Sequence, residues 1–215
     1  MAEAPIGEVH GELGAGGQAD PAAPLRYLGD RRLLERHPVA LLSSTRTPPD
    51  LVLPTLDVVR EEAFSGTVFV GGFQSPIERD CLEILLLIGA PVVVCPARAI
   101  EAMRLPIEWQ RRVERGEMLI VSEIHGSGCQ RPTAALADRR NRTVVTCAGK
   151  VLIPAGAPGS RTYAAALRAI ERGLGVYTFH HPANRDLVIL GARPLRIRRT
   201  RCPGAAGIQG RVRRD

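Results

Sequence analysis

The segment TVFVGGFQSPIERDCLEILLLIG, residues 67–89, contains a strand, a turn and a helix in immediate succession. Residues 67–72 form a short apolar run of the kind that is typical of a buried strand. Ser75 at the N-cap position and Glu78 three residues later then make a capping box, with a proline between them at the first helical position. The pattern therefore predicts a helix over 76–88, directly behind the strand.

The same alternation of short apolar runs and longer helical stretches continues on both sides of this segment. The runs 39–42, 92–94 and 119–121 carry no polar alternation, as expected for strands buried on both faces of a sheet. The predicted strands are 39–44, 67–72, 91–95, 117–122, 150–154, 176–180 and 186–190, and the predicted helices are 49–63, 76–88, 106–115, 132–147 and 161–172. This order predicts an α/β fold, a Rossmann-like three-layer sandwich with a mostly parallel sheet.

The composition is that of one globular domain. The chain has 215 residues, of which 45% are hydrophobic and 24% are charged, which excludes a disordered or collagen-like protein. No apolar run reaches the roughly 18 residues of a membrane span, and the first 24 residues lack the features of a signal peptide. The lack of a membrane-spanning run predicts no membrane partner. Five cysteines without a CxxC pair predict reduced thiols and a cytoplasmic location.

The charge is unevenly distributed along the chain. Residues 193–215 contain eight arginines and one aspartate, whereas residues 1–24 contain four acidic residues and many glycines and alanines. We predict a disordered acidic lead over 1–24, a Rossmann-like domain over 25–192 and a basic tail over 193–215. Such a tail favours polyanionic partners through counterion release, and a solvating extension without a fixed partner is the alternative.

The carboxyl ends of the predicted parallel strands are the expected ligand edge. Two loops there resemble phosphate cradles. Gly71-Gly72 precedes the capped helix over 76–88, and Gly159-Ser160-Arg161-Thr162 lies at the start of the helix predicted over 161–172. Tight turns with a structural cap are the alternative interpretation of both. The chain has no Walker A lysine and no Gly-x-Gly-x-x-Gly between a strand and a helix, which disfavours a P-loop ATPase or a nicotinamide dehydrogenase.

Several blocks of this sequence, in this order, resemble the Rossmann-like domain of the DprA/Smf DNA-processing proteins. The blocks are Leu25-Arg26-Tyr27-Leu28-Gly29-Asp30, Ser43-Ser44-Thr45-Arg46, Gly71-Gly72-Phe73, Arg140-Asn141-Arg142 and Gly159-Ser160-Arg161-Thr162. The resemblance spans residues 25–192, and the Arg-Asn-Arg block is its most specific part. The chain departs from the family pattern in a serine where the first strand usually ends in glycine, and in Ala155 where an acid is frequent. We expect a compact form without the winged-helix domain.

The resemblance implies binding of single-stranded DNA or of a nucleotide phosphate ligand, without turnover and without a cofactor or metal. Arginines would neutralise phosphates, glycine and hydroxyl groups would donate hydrogen bonds, and Phe73 would stack on a base or pack beneath it. A homodimer is a further expectation. The predicted site residues are Ser44, Arg46, Gly71, Gly72, Phe73, Gln74, Ser75, Arg98, Arg140, Arg142, Gly159, Ser160, Arg161 and Thr162.

An enzyme related to the LOG-type phosphoribohydrolases of the same superfamily is the alternative. Their glycine-rich loop is followed closely by a catalytic glutamate, because a carboxylate stabilises the oxocarbenium-like transition state at the ribose. In this chain the next acid after Thr162 is Glu171. Glu78 and Glu123 lie near strand ends, but we interpret Glu78 as the cap partner and Glu123 as a solvated loop acid. A nucleotide-hydrolysing enzyme or a nucleotide sensor stays open.

The other reactive residues favour structural roles. His180 and His181 are expected at the surface or at a pocket wall rather than on a metal. Cys95 ends a strand three residues before Arg98, which is expected to lower the pKa of its thiol. Two alternatives remain for the predicted helix over 106–115: a basic-aromatic patch for nucleic acid, or a solvated helix face. The patch would consist of Trp109, Arg111, Arg112 and Arg115, together with Arg104 just before the helix.

Overall fold

The computed structural model describes residues 6–9, 25–126 and 133–196. Within these ranges nine strands form one sheet in the order β1-β2-β6-β5-β4-β3-β7-β8-β9. The strands are β1 (Ile6–Val9), β2 (Leu25–Gly29), β3 (Val39–Leu41), β4 (Phe69–Gly71), β5 (Val92–Val94), β6 (Met118–Ser122), β7 (Lys150–Ile153), β8 (Gly175–Phe179) and β9 (Arg193–Leu195). β1 and β2 pair antiparallel, β2 pairs antiparallel with β6, and the remaining pairs are parallel.

Helices cover both faces of this sheet. They are α1 (Arg32–Glu35), α2 (Pro49–Phe64), α3 (Pro76–Leu87), α4 (Ile107–Glu114), α5 (Ala134–Thr146), α6 (Arg161–Glu171) and α7 (Arg185–Leu190), with short 3₁₀ turns at Ile100–Ala102 and Pro182–Asn184. One apolar core lies under α2, α3 and α4, and a second lies under α5 and α6 on the opposite face. The predicted Rossmann-like three-layer fold is confirmed.

The strand predicted over 186–190 is wrong, because these residues belong to α7. After Asp186 the run is short and apolar, and such a run does not distinguish a strand from a helix by its periodicity. In the structure only Leu187 of this run is fully buried, and Gly191 ends the helix in a left-handed conformation. The next strand of the sheet is β9 instead.

The sheet also extends beyond the predicted domain limits. β1 lies within the segment that was assigned to the lead, and β9 lies within the segment that was assigned to the tail. The block Leu25-Arg26-Tyr27-Leu28-Gly29-Asp30, which resembles the DprA/Smf proteins, contains the strand β2, and β2 pairs with β6. No helix of the described residues is long and apolar enough to cross a membrane.

The position of β3 determines where a ligand edge lies. β3 is at the centre of the sheet, where Leu41 is opposite Gly71 of β4 on one side and Leu152 of β7 on the other. The chain therefore leaves β3 towards β4 and later returns to pair β7 on the other side. Loops diverge at such a switch point and open a crevice at the carboxyl ends of the strands.

Arg112 on α4 is part of the structural framework. Its side chain is buried, and its guanidinium donates hydrogen bonds to the backbone carbonyls of Leu86 (3.4 Å) and Ala90. Trp109 packs against the core under the same helices. Because Arg112 is enclosed, it is not available to the basic-aromatic patch that was one of the two interpretations of this helix.

Candidate functional site

The exits of β3 and β4 are joined by the carboxylate of Glu78. This side chain on α3 is only 3% exposed, and one of its oxygens accepts the Ser43 N–H at 2.7 Å. Its other oxygen accepts the N–H groups of Gln74 at 2.8 Å and of Ser75 at 3.4 Å. The Ser75 hydroxyl accepts the Glu78 N–H in return, which confirms the capping box.

The predicted phosphate cradle after β4 is therefore already occupied by a protein carboxylate. Glu78 binds the backbone donors that an external phosphate would require at Gln74 and Ser75. The side-chain amide of Gln74 donates to the carbonyl of Gly72 at 3.1 Å, which closes the turn further. Gly72, another predicted residue of this loop, instead contacts the side chain of Arg140, which belongs to α5.

Gly72 provides the space in which the side chain of Arg140 lies. A Cβ atom added to Gly72 would come within 2.4 Å of the Arg140 Nε. The guanidinium donates two hydrogen bonds to the Oδ1 of Asn141, at 3.2 Å and 2.9 Å, and Asn141 is buried. The absence of a side chain at Gly72 and the acceptor on Asn141 together hold Arg140 at the exit of β4.

Arg140 lies between opposite and like charges. Burial lowers the pKa of its guanidinium, the negative charge of Glu78 opposes this effect, and the positive charge of Arg161 lowers the pKa further. Arg161 begins α6, directly after the loop that leaves β7. Since the two guanidinium groups repel each other across the switch point, an anion between them would stabilise both.

The loop after β7 positions Arg161 through the cap of α6. The Ser160 hydroxyl accepts the Tyr163 N–H at 3.1 Å, so Ser160 caps α6. This is the structural role that was the alternative to phosphate binding in the sequence analysis. Thr162 is 7% exposed and its methyl group faces Gly156, while Gly159 and Arg161 are exposed. The adjacent exit of β3 is tied to this loop by a hydrogen bond from the Ser44 N–H to the Ala155 carbonyl, 2.8 Å long.

Arg142, two residues after Arg140, points to a different partner. Its Nη2 lies 3.6 Å from a carboxylate oxygen of Glu123, and Arg139 Nε lies 3.2 Å from the same oxygen. Two residues rotate the helix face by about 200°, which separates Arg142 from the Gly72 turn. Glu123 is 6% exposed and paired with two arginines, so its interpretation as a solvated loop acid is wrong.

Phe73 lies beneath the site rather than at its surface. The side chain is buried in the core under α2, α3 and α4, with its ring against Gly71, and its backbone φ is +50°. Positive φ is uncommon for a bulky residue and is tolerated here because the surrounding core fixes the ring. Of the two predicted roles of Phe73, stacking on a base is inconsistent with this burial, and packing beneath the ligand agrees with it.

Arg46 and Arg98 complete the predicted set at this edge. Arg46 is exposed in the loop after β3, where its N–H donates to the Ser44 hydroxyl at 3.4 Å. Arg98 is exposed after β5, where its carbonyl accepts the Ser122 hydroxyl at 2.8 Å. Within the described ranges neither side chain, nor that of Arg161, forms an ion pair. Three exposed arginines thus lie at the same edge of the sheet as the half-buried Arg140.

The histidines after β8 contribute a structural contact at the same edge. The His181 Nε2 lies 3.0 Å from an oxygen of Asp50 in the first turn of α2, and its Nδ1 accepts the Ala183 N–H at 3.1 Å. Both ring nitrogens of His181 are therefore engaged, so His181 is not free to act as a general base. The described part of the chain contains no cluster of three or more metal-ligating side chains.

Cys95 behaves as a core residue. It is fully buried, and burial together with the neighbouring thiol of Cys147 raises its pKa well above the usual range. The expectation that Arg98 lowers this pKa is wrong, because removal of the thiolate from water outweighs any nearby positive charge. Burial likewise raises the pKa of Cys81 to about 12.

These thiols are expected to resist alkylation in the folded protein. Iodoacetamide reacts with the thiolate, and a raised pKa leaves almost none of it at pH 8. In a time course followed by peptide mass spectrometry, Cys81 and Cys95 should remain unmodified in native protein and react within minutes in urea. Rapid native labelling of Cys95 would contradict its burial.

Comparisons with known proteins support the fold. No family model matches the sequence, and no curated protein matches it. The structure is similar to that of DNA processing protein A from Helicobacter pylori, described for its single-stranded DNA binding mode, with a TM-score of 0.69 and 21% sequence identity. The alignment covers 88% of this chain and 90% of that one.

A second similar structure is DNA processing protein A (DprA) from Streptococcus pneumoniae, with a TM-score of 0.67 and 20% identity. The alignment covers 82% of this chain but only 64% of the S. pneumoniae protein, which is less than two thirds of its length. Two structures of the same protein type thus superpose on most of this sheet and its helices. The chain has the fold of the DprA structures, and the resemblance inferred from its sequence blocks is confirmed at the level of the fold.

Proposed function

We propose that this protein binds single-stranded DNA at the carboxyl edge of its sheet, without chemical turnover. Arg140 and Arg161 are the central phosphate ligands in this proposal, and Arg46 and Arg98 are flanking contacts. The observation that carries it is the placement of Arg140, whose guanidinium is held by Asn141 over Gly72 at the exit of β4, while Arg161 begins α6 after β7 at the same edge. The fold shared with the H. pylori protein, whose structure was described for single-stranded DNA binding, supports the same ligand.

The spread of the arginines favours a polymer over a mononucleotide. Arg161 follows β7 and Arg98 follows β5, and these two strands are separated by β3 and β4. Three strand spacings amount to about 14 Å. That span exceeds one phosphate group, so a chain of several nucleotides would contact more of these arginines than a single nucleotide would.

The carboxylates at this edge support binding rather than hydrolysis. Glu78 accepts three backbone N–H groups, and Glu123 is paired with two arginines. The first turn of α6 contains no acidic residue. A nucleotide-hydrolysing enzyme needs a carboxylate that reaches the ribose. Glu78 and Glu123 could reach a ligand only if these contacts were broken.

The test is a binding isotherm for a fluorescent oligothymidine across a sodium chloride series. For single strands the slope of log affinity against log salt falls by about 0.7 for each phosphate contact. Arg161→Ala is expected to weaken binding by about 3–10-fold and to reduce the slope by about 0.7. A chain that ends after Arg196 keeps β9 and should retain this behaviour, since the proposed contacts lie within the sheet edge.

Two outcomes would contradict the proposal. If binding disappears with the tail and is insensitive to Arg161→Ala, the DNA contact is made by the tail alone. If a mononucleotide binds with one-to-one stoichiometry and displaces the oligonucleotide fully, the nucleotide-binding alternative is favoured.

A cytoplasmic location and a homodimer remain predictions of the sequence.

A further inference from the structure

A cavity lies at the opposite edge of the sheet, where the parallel strands begin. The segments that precede β3, β4 and β7 line this open cavity, whose volume is about 380 Å³. It is lined by Arg36, His37, Val39, Ser65, Gly66, Thr67, Gly149 and Lys150. This amino-edge cavity, defined by these eight residues, is separated from the carboxyl edge by the full length of the strands. It shares no residue with the site of the proposed function.

The charge of the amino-edge cavity is positive. Arg36, His37 and Lys150 are basic, none of the eight lining residues is acidic, and no ion pair within the described ranges involves these three side chains. A nearby acid, Glu62, accepts a hydrogen bond from the Thr67 hydroxyl at 2.9 Å. The excess of basic over acidic groups therefore remains, and it favours an anion.

Contacts with the backbone fix the main chain at His37 and the side chain of Arg36. His37 has a φ of +50°, and a Cβ on Gly149 would lie 2.8 Å from the His37 Cβ. The Gly149 N–H donates to the Pro38 carbonyl at 2.8 Å, and the Arg36 guanidinium donates to the Gly66 carbonyl. His37 and Phe73 are the two non-glycine residues of the described chain with positive φ, and strained backbone of this kind concentrates at functional sites.

We propose that the amino-edge cavity binds a phosphate group, with Lys150, Arg36 and His37 as its ligands. The hydroxyls of Ser65 and Thr67 already donate to Glu61 and Glu62, so the three basic side chains supply the donors. An ammonium group and a guanidinium group bind phosphate with complementary geometry, one as a point charge and one as a fork. The volume lies within the usual range of small-molecule sites, so the proposed phosphate group is that of a mononucleotide or of a nucleic-acid chain.

Lys150 gives a direct probe, because it is the single lysine of the chain. Reductive methylation of the full-length protein with ¹³C-formaldehyde places one dimethyl label on Lys150 and keeps its positive charge. The N-terminal amine is the second labelled group and is distinguished by comparison with Lys150→Arg. The label is titrated, by NMR, with inorganic phosphate, AMP and a short oligothymidine in separate series.

The Lys150 resonance is expected to shift saturably with at least one of these probes, and Arg36→Ala should weaken the apparent affinity by about 5–10-fold. Arg60→Ala, which removes an exposed arginine from α2 outside the cavity, is the matched control and should leave the titration unchanged. Saturation by AMP at lower concentration than by oligothymidine identifies a small-molecule phosphate, and the reverse order identifies a nucleic-acid phosphate.

The proposal is overturned if no probe shifts the resonance saturably, or if Arg36→Ala and Arg60→Ala titrate alike. Its failure is separable from failure at the carboxyl edge. Arg140→Ala should leave the Lys150 titration with AMP unchanged, whereas oligonucleotide binding at the carboxyl edge is read by the anisotropy of the labelled DNA.

Discussion

Replacement of Glu78 with alanine is expected to lower the free energy of unfolding by about 3–5 kcal/mol. The substitution leaves three backbone N–H groups without their acceptor, and those of Ser43 and Ser75 are buried. A buried donor that loses its partner costs about 1–3 kcal/mol. In a chain of this size the midpoint of thermal unfolding should fall by roughly 6–20 °C. Urea unfolding, followed by circular dichroism, measures the loss.

Glu83→Ala is the matched control for Glu78→Ala, because Glu83 is an exposed glutamate on the same helix. Its free energy of unfolding should stay within about 0.5 kcal/mol of the parent. Glu78→Gln keeps the shape and one acceptor oxygen, and it is expected to fall between the parent and the alanine variant. If Glu78→Ala and Glu83→Ala were equally stable, Glu78 would not be joining the exits of β3 and β4.

Arg140→Ala is expected to weaken single-stranded DNA binding by about 10–100-fold, with a small change in stability. The guanidinium is held by Asn141 over Gly72, so its position is fixed before DNA arrives. Gly72→Ala should reproduce the loss without removing any charge, because its Cβ would occupy the space of the Arg140 Nε. Agreement between the two variants, measured by fluorescence anisotropy, would assign the effect to the placement of Arg140.

Arg168→Ala is the matched control, since it also removes one half-buried arginine of this face. Arg168 lies about two helical turns after Arg161 on α6. It pairs with Asp138 at 3.0 Å, and its loss should change DNA binding by less than about 3-fold. Arg142→Ala distinguishes the two arginines of the Arg-Asn-Arg block. If Arg142→Ala abolishes binding while Arg140→Ala does not, the DNA contact lies beside Glu123, and the proposed arrangement of ligands is incorrect.

Local sequence patterns were sufficient for most of the fold. The strand and capped helix over 67–88 could be predicted because a cap is made by residues three positions apart. The central strands are recognisable because strands buried on both faces are continuously apolar. The run at 186–190 shows the limit of this signal, since a short apolar run satisfies both a strand and a helix.

The candidate site depends on contacts that such patterns do not contain. The second role of Glu78 involves Ser43, which is 35 residues away in the chain. The cap motif identifies Glu78 as a helix cap, but it does not predict that the same carboxylate accepts the N–H of Ser43. The arginines at 140 and 142 look equivalent in sequence, whereas the helix directs one to Gly72 and the other to Glu123. The order of the strands in the sheet was needed to tell the role of Arg140 from that of Arg142.

The central position of β3 also has a consequence for the order in which the chain can fold. β3 gains its first neighbour from β4, about 30 residues later, but its other neighbour is β7, and their register pairs Val39 with Lys150. During synthesis one edge of β3 therefore remains unpaired until residue 150 has left the ribosome. The unpaired edge exposes backbone N–H and C=O groups on a strand whose side chains are all apolar, and such an edge invites pairing with another chain. The nascent protein thus depends on rapid arrival of its second half to avoid association with its neighbours on a polysome.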